Sequence, residues 1–156
     1  MGKLKKLLFL PLILGTLLSA EDRSLVGFEL GYTPKKDVTV PNASFKIGAE
    51  STNYRFFIAA SQSQIDDTID QSSLGLEPQY MFNFSQIASF YIGAETGYVW
   101  RSDDSDYRGY IGGESGLDFH LTKKFDIYLG ARVLKAKNKE SQKSGFLTFV
   151  VKYKTE

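Results

Sequence analysis

The chain has 156 residues, no cysteine, and 19 lysines and arginines against 18 aspartates and glutamates. The lack of cysteine excludes disulfides and a lipid-modified N-terminal cysteine, so a small exported fold must find its stability elsewhere. A formal charge of +1 leaves no electrostatic footprint for nucleic acid.

Residues 1–20 carry the three parts of an export signal: Lys3, Lys5 and Lys6, an apolar run from Leu7 to Leu18, and Ser19-Ala20 ahead of Glu21-Asp22-Arg23. The run is short for a retained membrane span. Cleavage is expected after Ala20, with Leu18 a bulky third residue before the cut. Losing Lys3, Lys5 and Lys6 leaves 16 basic residues against 18 acidic, a net charge of −2. Residues 21–156 then form one domain. No other stretch is long and apolar enough for a membrane helix, so a membrane reading rests on strands.

Eight alternating segments follow. The first, Ser24–Thr33, sets Val26, Phe28, Leu30 and Tyr32 against Gly27, Glu29 and Gly31. The second, Asn42–Glu50, sets Phe45, Ile47 and Ala49 against Lys46, Gly48 and Glu50. In the third, Asn53–Gln62, Tyr54, Phe56, Ile58 and Ala60 oppose Arg55, Phe57, Ala59 and Ser61. The fourth, Ser72–Phe84, alternates Leu74, Leu76, Tyr80, Phe82 and Phe84 with Gly75, Glu77, Gln79 and Asn83. Its Pro78 cannot donate a ladder hydrogen bond, which predicts a bulge or local break. The fifth, Ala88–Arg101, has Phe90, Ile92, Ala94, Tyr98 and Trp100 opposite Gly93, Glu95, Gly97 and Arg101. The sixth, Arg108–Leu121, has a clear polar face of Gly112, Glu114, Gly116, Asp118 and His120, but Gly113 and Ser115 thin its apolar face. The seventh, Lys124–Lys135, opposes Phe125, Ile127, Leu129, Ala131 and Val133 to Asp126, Gly130 and Arg132. The eighth, Ser144–Lys154, opposes Leu147, Phe149, Val151 and Tyr153 to Thr148 and Lys152, with Phe146 and Val150 interrupting the polar side.

Period two over roughly ten residues, repeated with turn signals between, is the signature of a transmembrane barrel. A loose repeat runs through it: Ile47-Gly-Ala-Glu, Ile92-Gly-Ala-Glu, Ile111-Gly-Gly-Glu and Leu129-Gly-Ala-Arg. Short connections (Ser51-Thr52, Ser85-Gln86-Ile87, Thr122-Lys123) alternate with long ones (Pro34–Pro41, Ser63–Gln71, Ser102–Tyr107, Ala136–Lys143). That places both termini and all tight turns at one end, and the long loops at the other. Tyr54, Phe84, Phe90, Phe119, Phe125 and Tyr153 then fall at the short-turn end, and Tyr32, Phe45, Tyr98 and Trp100 at the long-loop end. Two such aromatic girdles suit the two water–lipid interfaces.

Over its whole mature length the chain resembles the small eight-stranded outer-membrane barrels of the OmpA/OmpX type, by this pattern of strands, turns and aromatics. The resemblance implies an all-β, eight-stranded antiparallel up-and-down transmembrane barrel in the bacterial outer membrane. It further implies a salt-bridged interior, contact with outer-membrane lipid and lipopolysaccharide, handling by the outer-membrane assembly machinery, and a monomer. The chain departs from the pattern at its end. Such barrels often finish on an aromatic residue, whereas here Tyr153 is followed by Lys154-Thr155-Glu156.

The inner faces carry Glu29, Lys46, Glu77, Glu95, Glu114 and Arg132 near mid-height, and Arg55, Asp118, Asp126 and Lys152 nearer the short-turn end. Folding each hairpin about its loop centre sets Glu29 opposite Lys46, Glu95 opposite Glu114, and Glu114 opposite Arg132. Facing glutamates repel, so one stays protonated or a cation sits between them. The forked donors of Arg132 suit it to bridge carboxylates. Eight strands enclose a lumen that side chains can fill, so the expectation is an ion-pair plug, with a narrow ion-conducting path as the alternative.

No catalytic, cofactor-binding or metal-binding set is expected. The acidic loops, with Asp66, Asp67 and Asp70 in one and Asp103, Asp104 and Asp106 in the other, lack the ligand spacing of a calcium loop. His120 is the only histidine. Some eight-stranded barrels are lipid A deacylases or palmitoyl transferases, but the deacylase pattern His-x-Ser reads His120-Leu121-Thr122 here, which leaves no nucleophile in place. A soluble lipocalin-like ligand binder is the remaining alternative, and it would bury the apolar face and expose the charges. The expected role is structural or carried by the outer loops, which differ in sign: Ser63–Gln71 and Ser102–Tyr107 are acidic, while Ala136–Lys143 carries Lys137, Lys139 and Lys143.

Overall fold

A computed structural model describes residues 23–35, 37–66, 69–137 and 141–153. The export signal at 1–20, Asp67, Lys139 and the Lys154-Thr155-Glu156 end lie outside the described residues. Eight strands follow one another: β1 (Arg23–Pro34), β2 (Thr39–Glu50), β3 (Tyr54–Asp66), β4 (Ile69–Asn83), β5 (Ala88–Arg101), β6 (Asp104–His120), β7 (Phe125–Ala136) and β8 (Gln142–Tyr153). Each pairs antiparallel with the next, and β8 pairs with β1, so the sheet closes into an up-and-down barrel. Closure gives every strand two neighbours and leaves no edge open to another chain.

The register fixes the barrel's shape. A circuit of partners runs Arg23, Glu50, Arg55, Gln79, Gly93, Glu114, Arg132, Ser144. It returns to β1 at Thr33, whose hydroxyl meets that of Ser144 at 2.8 Å. The circuit therefore closes ten residues along from its start, Arg23 to Thr33. With about 3.3 Å per residue and about 4.8 Å between strands, that stagger tilts the strands by roughly 40°.

The first and last strands begin and finish at one end of the barrel, where Ser24 pairs with Tyr153. The contrast expected between long and short connections is not found in the loops themselves. The stretch Ser63–Gln71 is largely ladder, with Ser63 opposite Gln71 and Gln64 opposite Asp70, and β6 begins at Asp104 rather than Arg108. Serine, glutamine and aspartate read as loop because they are polar. Here they extend the hairpins beyond the exposed apolar belt. At Pro78 the β4–β5 ladder skips from Leu76–Thr96 to Gln79–Gly93 without changing register, so the proline makes a gap and not a bulge.

Alternation sets two opposite environments back to back. Phe28, Leu30, Ile47 and Leu129 are 48%, 49%, 48% and 55% exposed on the outside, while Glu29, Lys46 and Glu77 inside are at 0%, 2% and 1%. The interior also holds an apolar layer of Leu25, Phe57, Met81, Tyr91, Tyr128, Phe146 and Val150. Phe146 and Val150, the residues that interrupt the polar side of β8, belong to it. Tyr128 packs 5.9 Å from Tyr91 and 6.3 Å from Phe57 between ring centres. Gly130 makes room for this layer: a Cβ there would lie 2.5 Å from the Tyr91 hydroxyl and 2.6 Å from the Phe146 ring. The sequence repeat acquires a meaning here. Gly48, Gly93, Gly112 and Gly130 point inward two residues ahead of Glu50, Glu95, Glu114 and Arg132.

Candidate functional site: the filled lumen

Toward the loop end, six charged side chains from six strands converge. Lys46 Nζ lies 2.5 Å from Glu29 and 2.7 Å from Glu77. Arg132 Nη2 lies 2.8 Å from Glu29 and 3.3 Å from Glu114, and its Nε is 3.6 Å from Glu95. Neutral donors complete the set: Thr148 donates to Glu29 at 2.8 Å, Tyr110 to Glu95 at 3.0 Å, and Gln79 to Glu114. Four carboxylates thus share two cations, and all six side chains are buried. Carboxylate oxygens of Glu77, Glu95 and Glu114 lie within 4.8 Å of one another.

The pairings differ in part from hairpin folding about loop centres. Glu114 does face Arg132, but Glu95 faces Gly112 and Glu29 faces Ser44. The two-residue offsets come from loops that are shorter on one side than their polar sequence suggests. Glu29 and Lys46 still meet, diagonally, because long side chains span the offset.

Beneath this cluster lies the aromatic layer, which faces cations on both sides. Arg132 sits 4.1 Å from the Phe146 ring centre, and Arg55 sits 3.8 Å from that of Tyr128. Such stacking lets guanidinium groups leave water without losing all favourable electrostatics.

A second ionic cluster fills the short-turn end. Arg55 pairs with Asp118 at 2.8 Å and lies 3.9 Å from Glu50. Lys152 pairs with Asp126 at 2.5 Å and Glu50 at 3.2 Å. His120 joins it, with Nδ1 3.1 Å from Asp126 and Nε2 2.9 Å from Ser89 Oγ. Sequence spacing gave no sign of Ser89, which lies 31 residues from the histidine and reaches it only through the β5–β6 pairing.

A serine, a histidine and an aspartate in that order resemble a hydrolase triad, but the hydrogens run the wrong way. Asn83 donates through Nδ2 to the Thr52 carbonyl at 2.8 Å, so its Oδ1 is left to accept from Ser89 Oγ at 2.7 Å. The one hydroxyl proton of Ser89 is thereby committed, and Ser89 accepts from His120 Nε2. A nucleophilic serine must instead give its proton to that nitrogen. Ser89 is also fully buried.

On the outer surface, Tyr54, Phe84, Phe90, Phe119, Phe125 and Tyr153 stand exposed toward the short turns, with Phe84 just past the end of β4. Tyr32 and Tyr98 are exposed toward the other end, and Trp100 packs against Tyr107 with ring centres 5.6 Å apart. Phe45 is placed differently from expectation. β2 starts at Thr39 and not Asn42, so Phe45 pairs with Phe28 at mid-strand. Above the lumen a cup lined by Thr33, Asn42, Ser44, Ser61, Gln71 and Ser144 opens outward, with Arg132 and Glu95 at its floor.

No family model matches the chain, and no curated protein matches it. Solved structures do. Neisserial surface protein A is 15% identical, with a TM-score of 0.63 over 85% of this chain and 96% of that one. Outer membrane protein H (OprH) from P. aeruginosa is 17% identical, with a TM-score of 0.66 over 83% and 99%. The fold is that of the small outer-membrane barrels. The outer membrane enzyme PagL shares it as well, at 13% identity and a TM-score of 0.56 over 81% and 98%, so fold alone does not separate enzyme from non-enzyme.

Proposed function

We propose that this chain is an integral protein of the bacterial outer membrane, exported by its leader, whose lumen is plugged by its own side chains. Its role is structural or exercised through its outer end, without catalysis. The observation that carries this reading is the filled interior: two buried ionic clusters with an aromatic layer between them. A soluble lipocalin-like barrel would need the inverse, with charges outside and apolar residues within. A conducting path would have to pass Arg132 over the Phe146 ring, then Tyr128 packed against Phe57 and Tyr91 with Arg55 over its ring. Against catalysis stand the committed proton of Ser89 and its burial.

The exposed apolar belt and its flanking aromatics support a lipid environment, with lipopolysaccharide met at the outer end and the assembly machinery at the inner one. Closed edges support a monomer. The hydroxyl- and amide-lined cup supports a polar partner at the outer end. In planar bilayers the purified protein should show no large, stable conductance, and incubation with lipid A should leave the lipid's mass unchanged. Steady channels of porin size, or loss of an acyl chain dependent on His120, would overturn the reading.

A further inference from the structure

The short-turn cluster contains a geometry that the ion pairs do not use up. Asp118 gives Oδ2 to Arg55 at 2.8 Å, and Asp126 gives Oδ2 to Lys152 at 2.5 Å. Their other oxygens, Asp118 Oδ1 and Asp126 Oδ1, are buried and accept no hydrogen bond among the described residues. Both turn toward one atom, His120 Nδ1, at 3.8 Å and 3.1 Å. The relay from Thr52 through Asn83 and Ser89 fixes the imidazole from behind, because Ser89 can only accept from Nε2–H. Nδ1 is therefore the nitrogen presented to the two oxygens.

We infer that Asp118 Oδ1, His120 Nδ1 and Asp126 Oδ1 form a binding site for a divalent transition-metal ion of the zinc type at the short-turn mouth of the barrel. Metal–ligand bonds of about 2.0 Å at tetrahedral angles put ligand atoms about 3.3 Å apart, and the two separations from Nδ1 bracket that value. The second ring nitrogen donating to a fixed acceptor is the outer-shell arrangement that orients a ligating histidine. Arg55 and Lys152 are the two fixed cations facing the three carboxyl groups of Glu50, Asp118 and Asp126. A mixed nitrogen and oxygen set of three suits zinc better than calcium or magnesium, which take more oxygens. His120 has 22% of its side chain exposed, so the fourth position opens to solvent at the turn end.

The test uses the untagged mature protein folded in detergent, titrated with zinc by calorimetry and with cobalt by visible absorption. One zinc per chain should bind, and cobalt should give the intense bands of tetrahedral coordination. Equimolar calcium or magnesium should not compete. His120→Gln should weaken zinc binding at least 100-fold while the barrel keeps its heat-modifiable migration. Ser89→Ala removes only the outer-shell acceptor, and should weaken binding about 10- to 100-fold at unchanged stoichiometry; it also serves if His120→Gln does not fold. Absence of stoichiometric zinc binding to a folded barrel, binding indifferent to both substitutions, or equal competition by calcium would overturn the site.

Discussion

Glu114 and Arg132 stand directly opposite each other on β6 and β7, and their side chains meet at 3.3 Å inside the barrel. The same guanidinium also reaches Glu29 on β1 and Glu95 on β5. One side chain thus ties three carboxylates from three strands, which a lysine's compact ammonium could not do with the same geometry.

Replacing it should therefore be costly. Arg132→Ala leaves Lys46 alone against four carboxylates in a buried place, and breaking a buried pair in this way costs roughly 3–5 kcal/mol. Arg132→Lys should recover part of the loss. Urea unfolding in lipid vesicles measures both, and an unchanged midpoint for Arg132→Ala would remove the network's structural role.

A second prediction concerns Gly75. A Cβ at that position would overlap the Tyr110 hydroxyl, which is held in place by its bond to Glu95. Gly75→Ala should destabilise the barrel by about 1–3 kcal/mol through overpacking. Tyr110→Phe in the same chain should relieve the clash, so the two changes should be non-additive in a double-mutant cycle. Strict additivity would show that the two residues do not compete for the same space.

The third uses the single tryptophan. Trp100 lies at the long-loop end of β5, packed against Tyr107. In vesicles its fluorescence should be quenched more by lipids brominated near the headgroup than by those brominated deep in the chain, as an interfacial anchor requires. Stronger quenching by the deep probe would put this end of the barrel within the hydrocarbon core.

The strand count, the handling of the two faces and the bounds of β5 were legible because alternation has a period no helix shares. The inward positions of Glu29, Lys46 and Arg132 follow from the same parity. The polar outer ends of β3, β4 and β6 were not legible, since a serine or glutamine outside the apolar belt looks the same in a ladder as in a loop. The offset of Glu95 followed from that, and the offset of Glu29 from β2 starting at Thr39 and not Asn42. Ser89 was hidden for a different reason: its partners Asn83 and His120 come from neighbouring strands, and nothing in local sequence marks a serine whose proton is already given away.

Barrel closure sets the order of events in assembly. Arg132 and Glu29 are 103 residues apart in sequence and sit on opposite sides of β8, the strand that completes the cylinder. Until β8 zips to β1, both groups can stay hydrated in an open sheet, and their contact does not exist. Formation of the Arg132–Glu29 pair and the final dehydration of these two groups therefore belong to the same late step. An open sheet can form the neighbouring pairs Glu29–Lys46 and Glu114–Arg132, but not the bridge that joins them. Arg132 thus acts as a latch that joins the two halves of the network only in the finished ring, which should make closure of the barrel cooperative.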